Sequence, residues 1–211
     1  MLRSYRFLLV LVGLLFSVLA SAQQVVKWGD PDFPDPPAGE FGFVDVAGGI
    51  YEVLGLRPDG TVARWGTLSF IGDPPAGLSG VVRISAGDFH ALALKSDGTV
   101  VAWGSNSHGQ SNVPSGLVAT ALDGGGIHSL AVRSNGTVAA WGFNANGECN
   151  VPAGLSGVID VTGGETHSLA LKSNGTVVAW GNNSSGQTSV PGGLSGVVQI
   201  ESGTNHNLAL K

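Results

Sequence analysis

His167-Ser168-Leu169-Ala170-Leu171-Lys172-Ser173-Asn174-Gly175-Thr176-Val177-Val178-Ala179-Trp180-Gly181 is a hairpin written in side chains. From His167 to Lys172, large apolar residues alternate with small or polar ones, the period of a half-buried strand. Thr176 to Trp180 is rich in β-branched and aromatic residues, which favour a pleated sheet. Between them lies Ser173-Asn174-Gly175, a tight-turn signal that brings the two strands back antiparallel.

The hairpin recurs along the chain. Trp28, Trp65, Trp103, Trp141 and Trp180 are each followed by Gly, at spacings of 37, 38, 38 and 39. His90, His128, His167 and His206 are spaced by 38, 39 and 39, and Glu52 fills the same slot in the first repeat. Asp59-Gly60, Asp97-Gly98, Asn135-Gly136 and Asn174-Gly175 are the turns. A further strand precedes each hairpin, as in Val81–Ile84, Val158–Val161 and Val197–Ile200, and a polar loop ending in Val113-Pro114, Val151-Pro152 or Val190-Pro191 follows it. Each repeat is therefore a sheet of three strands, or four. A sheet this small cannot bury both faces alone, so neighbours must pack face to face. A fixed period near forty residues makes that arrangement an all-β propeller of about five blades. The chain opens its repeats on Val25-Val26-Lys27-Trp28-Gly29, a second hairpin strand, and closes on His206–Lys211, a first one. Paired, they would complete one blade and close a five-bladed ring; the alternative is part of a seven-bladed ring.

The unit Gly-Gly-x-x-His-Ser-Leu-Ala-Leu-Lys-x-x-Gly-Thr-Val-x-Ala-Trp-Gly-x-Asn-x-x-Gly-Gln-x-x-Val-Pro, standing here from Gly163 to Pro191, resembles the regulator-of-chromosome-condensation repeat. It is most similar to the compact, secreted bacterial form, whose units also occur in a secreted propeller that inhibits β-lactamases. The resemblance runs from Val25 to Lys211 and implies a propeller acting as a binding scaffold, since such folds host many partners. A eukaryotic family member is a nucleotide-exchange factor for a small GTPase; the export signal described next points away from that role. Family propellers usually have seven blades, and the first two exit loops, Asp30–Pro37 and Thr67–Pro75, lack the Asn-x-x-Gly-Gln stretch.

Residues 1–22 have the form of a secretory leader. Arg3 and Arg6 precede an apolar run from Phe7 to Leu19, and Ala20-Ser21-Ala22 offers small residues for cleavage. The run is too short to span a bilayer. Residues 23–211 then form a single domain, expected outside the cytoplasm, secreted or periplasmic, with no membrane partner once the leader is gone. Losing Arg3 and Arg6 takes the net charge from −5 to −7. An acidic body argues against nucleic acid, which calls for a basic patch. Charged residues are only 12% of the chain and 34 of 211 residues are Gly, which excludes charged coiled coils and favours turns. The lone Cys149 shares a slot with Ser111 and Thr188, so it is read as a small side chain and not a reactive thiol.

Hairpin geometry sorts the loops onto two rims. The Asp/Asn-Gly turns lie on one. The residues ahead of each His and those after each Trp-Gly must meet on the other, here called the open rim. Its positions vary between repeats: Ile50-Tyr51, Asp88-Phe89, Gly126-Ile127, Glu165-Thr166 and Thr204-Asn205 on the way in, and Asp30, Thr67, Asn106, Phe143-Asn144 and Asn182-Asn183 on the way out. Variation inside a strict repeat marks positions that packing does not dictate. Tyr51, Glu52, Asp88, Phe89, Ile127, Phe143, Asn144, Glu165, Asn182 and Asn205 are the candidate binding residues, aromatics among adaptable amides. The partner expected is a protein; the alternatives are a carbohydrate stacked on Tyr51, Phe89 and Phe143, or a polysaccharide-active enzyme using Asp88 or Glu165. No catalytic group, cofactor or metal site is assigned. The repeated Trp and His are read as structural, because a ring spreads one copy per blade too widely to converge on a metal. Asp and Asn interchange in the turn slot, which suits turn chemistry and not a catalytic carboxylate.

Overall fold

The computed structural model describes residue 25 and residues 33–36, 42–67 and 70–211. The leader, the strand Val26–Gly29 with Trp28, and Asp30 and Asp32 lie outside the described residues, and so does the pairing of that strand with the end of the chain. Among the described residues the secondary structure is all β. Four sheets have three antiparallel strands each: β1 (Asp45–Gly48), β2 (Glu52–Leu56) and β3 (Val62–Gly66); β4 (Val81–Ala86), β5 (His90–Lys95) and β6 (Val100–Gly104); β7 (Ala119–Gly124), β8 (His128–Arg133) and β9 (Val138–Gly142); β10 (Val158–Gly163), β11 (His167–Lys172) and β12 (Val177–Gly181). A fifth pairs β13 (Gln199–Ser202) with β14 (Asn207–Leu210). Among the described residues the four complete blades have three strands each and the fifth sheet two.

Register is the same in every hairpin. His90 lies opposite Gly104, His128 opposite Gly142 and His167 opposite Gly181. In three of the sheets a bulge sets the start of the inner strand, at Val82, Thr120 and Ile159. The first strands β1, β4, β7, β10 and β13 pack in succession, so they form the inner layer around which the blades fan.

The turns differ in one respect from a plain Asn-Gly hairpin. Only glycine takes positive φ, 84° at Gly98 and 76° at Gly175. The Asp or Asn before it instead accepts a hydrogen bond from the backbone of the following Thr, 2.9 Å for Asp97 with Thr99 and 3.1 Å for Asn174 with Thr176. Either side chain offers that oxygen, which is why the two interchange.

Apolar clusters fill the space between blades. Leu54, Leu56 and Val62 of the first blade pack with Ile84, Ala91 and Trp103 of the second, and the pattern repeats through Trp141 and Trp180. Trp103, Trp141 and Trp180 thus each lean on the blade before their own. Leu208 and Leu210 of β14 are 61% and 58% exposed, although their counterparts Leu169 and Leu171 are buried; among the described residues no sheet covers that face. At the other end, Val25 and Phe33 pack on Phe43, Ala63 and Trp65 of the first blade.

Candidate functional site

The repeated histidines are the hinges of a relay between blades. His90, His128 and His167 are fully buried. His90 Nε2 lies 2.8 Å from Ser129 Oγ of the next blade, and His128 Nε2 lies 3.0 Å from Ser168 Oγ. Each serine gives its proton to a carbonyl, Ser129 to Gln110 O and Ser168 to Glu148 O, both at 2.8 Å. A serine that donates onward must accept from the imidazole, so Nε2 carries the hydrogen and Nδ1 is bare. The same carbonyls accept Trp141 Nε1 at 2.9 Å and Trp180 Nε1 at 2.8 Å. In the fifth blade Asn207 takes the serine's place, accepting from His167 and donating to Gln187 O. Burial pushes the His90 imidazole down to about 4, against a smaller opposing pull from Asp123, so it stays neutral. His206, one blade later, is exposed and stands outside this relay.

The joint between the first and second blades departs from the pattern. Glu52 replaces the His, and Ala91 replaces the Ser that a His would need. Ile71 takes the place of Gln110, and the buried Trp103 Nε1 has no hydrogen-bond partner. Glu52 is 1% exposed, so it is no rim-surface residue, contrary to the expectation from sequence. Its position is buried in the first four blades, and an anion there survives by being bonded: Oε2 accepts from Ile71 N at 2.7 Å and Oε1 from Arg64 at 3.1 Å. Arg64 also holds Asp73 at 2.9 Å. Desolvation raises the Glu52 carboxyl above its usual value, and the Ile71 bond and Arg64 partly offset it. Glu52 therefore ties down the exit loop that carries Phe70.

The hairpin ends meet on the open rim. Thr67, Ser105, Phe143 and Asn182, each just past a Trp-Gly, donate to the carbonyls of Tyr51, Phe89, Ile127 and Thr166. Above the irregular joint three aromatic rings form a ladder. Tyr51 lies 5.6 Å from Phe70, tilted by 44°, and Phe70 lies 5.6 Å edge-on from Phe89 at 84°. Tyr51 is 39% and Phe70 49% exposed. Two of the expected aromatics are thus brought together, joined by a third that sequence reasoning missed. Phe143 is not part of the ladder; it packs edge-on against His108 at 5.0 Å.

The remaining candidates are spread around the rim. Asn144 binds its own loop, accepting from Cys149 N at 2.8 Å and donating to Asn150. Asn182 accepts from Ser184 N, and Asn205 from Gln187. Asp88 joins the next blade through its backbone N, bonded to Gly126 O; Ile127 is half-buried and Glu165 exposed. Cys149 donates to Phe143 O much as Ser111 donates to Ser105 O. Burial, with Glu148 beside it, pushes the thiol up to about 12. Among the described residues no group of three or more His, Cys, Asp or Glu is placed to hold a metal ion.

Against known proteins, the regulator of chromosome condensation (RCC1) repeat matches residues 81–110 and 158–187. No curated protein matches. Among solved structures, Prp20p of Saccharomyces cerevisiae superposes with a TM-score of 0.71 at 18% identity, covering 82% of this chain and 57% of Prp20p. The CRINKLY WD40 ectodomain of the Arabidopsis thaliana receptor kinase ACR4 gives 0.73 at 22%, covering 87% and 67%. Human WBSCR16 gives 0.67 at 20%, covering 89% and 63%. The chain spans a little over half the length of Prp20p. At these identities the likeness is one of fold. The two matched units are the second and fourth blades, so the chain is a β-propeller that contains regulator-of-chromosome-condensation repeats at those two blades.

Proposed function

We propose that this chain is an exported, non-catalytic scaffold that holds a protein partner on its open rim. The observation that carries this reading is the ladder Tyr51–Phe70–Phe89, exposed at Tyr51 and Phe70 and half-buried at Phe89, seated at the joint where the buried relay is interrupted. Aromatic side chains grouped in partial exposure are typical anchors of protein interfaces. Their mutual tilt favours a protein over a sugar. Rings at 44° and 84° to one another make no coplanar shelf for a pyranose, whereas faces turned in different directions suit the varied side chains of a protein. Exit loops bonded to themselves through Asn106, Asn144 and Asn183 hold the rest of the rim in one shape, which lowers the ordering cost of binding. Prp20p was solved with attention to its binding properties towards Gsp1p and histones, a use of this fold in protein recognition.

The test is capture from an extracellular extract by residues 23–211, alongside a Tyr51→Ala, Phe70→Ala, Phe89→Ala variant. A protein retained by the first and lost by the second supports the reading. Equal recovery by both, or binding only to arrayed glycans, overturns it.

A further inference from the structure

We infer that the ladder receives an arginine-bearing segment of its protein partner, an assignment that rests on the open-rim reading above and names the chemistry of what docks there. The argument starts from where the charges lie. Lys95, Arg133 and Lys172 end their middle strands and Arg57 directly follows β2, all beside the hairpin turns on the rim opposite the ladder; Lys211 has the same place in the repeat. Arg83 sits on an inner strand and pairs with Asp160. With Arg57 at the turn rim as well, Arg64 is among the described residues the one Lys or Arg reaching the open rim, and two carboxylates, Glu52 and Asp73, already hold it. The open rim keeps Asp73, 84% exposed, and Glu165, also exposed, with Asp88 next to Phe89.

The ladder thus lies on the rim from which cations are withdrawn, next to carboxylates. Asp73 is linked to it through a short path: Asp73 to Arg64, Arg64 to Glu52, Glu52 to the backbone of Ile71, which follows Phe70. Aromatic faces and carboxylates together are what a guanidinium selects, because it stacks flat on a ring while its edge donates to oxygen. An ammonium makes the ionic contact but stacks less well, and a neutral side chain of the same shape makes only the stack. The order expected is therefore arginine, then lysine, then citrulline.

The probe is a fluorescent heptapeptide carrying two arginines around a leucine, with its lysine and citrulline versions, titrated into residues 23–211 and followed by anisotropy. The arginine peptide should bind about fivefold or more tighter than the citrulline one. Phe70→Ala and Asp73→Asn should each remove most of that preference, while Asp97→Asn on the turn rim should leave it unchanged. Matching thermal transitions for the variants establish that they are folded. Equal affinity for the three peptides, no binding of any, or a preference untouched by Phe70→Ala overturns the inference. The two readings fail separately. A captured protein lost with the ladder but indifferent to Asp73→Asn and to salt sinks the arginine assignment alone; capture indifferent to the ladder sinks both.

Discussion

Lowering the pH from 7 to 4.5 should destabilise the fold through His90. Its imidazole is fully buried and neutral, with a folded value of about 4 against an ordinary 6.5. Between those limits the unfolded chain binds a proton that the folded one refuses, so stability is full above pH 6.5 and falls as the solution is acidified towards 4. The loss attributable to this residue is about 1.4 kcal/mol at pH 5.5 and about 2.5 kcal/mol at pH 4.5, for a folded value of about 4. Glu52 works in the opposite sense: its raised carboxyl takes up a proton in the fold first, so its share of stability grows on acidification. Asp59 and Asp97, lowered by their bonds to Thr61 and Thr99, lose their contribution only below the ordinary carboxylate range. Urea unfolding at several pH values, read by tryptophan fluorescence, measures the slope. His90→Gln keeps a donor towards Ser129 but cannot titrate, so its stability should fall less steeply between pH 6.5 and 4.5. Parallel pH profiles for the two proteins would refute the reasoning.

Three further outcomes are expected. Ser168→Ala removes the acceptor of His128 and a donor to Glu148 O inside the core, and should cost about 1–3 kcal/mol in urea unfolding. Gly125→Ala would drive a methyl group into the His128 ring and to 2.7 Å from Gly164 O, so the variant should not accumulate as folded protein; Gly154→Ala, in open space at φ 77°, should cost only about 1 kcal/mol by thermal melting. Cys149, with its thiol raised to about 12, should resist iodoacetamide at pH 8 in the folded protein and react readily in urea, as mass spectrometry would show.

The hairpins, the period and the division into two rims were legible because each rests on local rules: alternation, turn glycine, and which strand end a loop leaves. Phe70 was not, because the exit loop around it has no repeat register to align it with Tyr51 and Phe89. The burial of Glu52 depends on Arg64 and on Ile71, nineteen residues ahead, contacts made only by folding. The relay left a trace that could have been followed. Where the slot holds His, the next repeat follows its own His with Ser or Asn; where it holds Glu52, the next repeat has Ala91. That coupling appears only when each repeat is compared with its successor, not when all are stacked in one column.

The handshake between an imidazole and the hydroxyl one blade onward also sets where such a chain can be cut and rejoined. A cassette transplanted between arrays must match across both of its seams, since half of each contact comes from the neighbour. Grafting a unit that begins with an alanine after its histidine behind one ending in histidine would strand a buried ring nitrogen. Duplication of an adjacent pair keeps the seam inside the pair matched but creates a new one where the copies meet, and that seam must match as well.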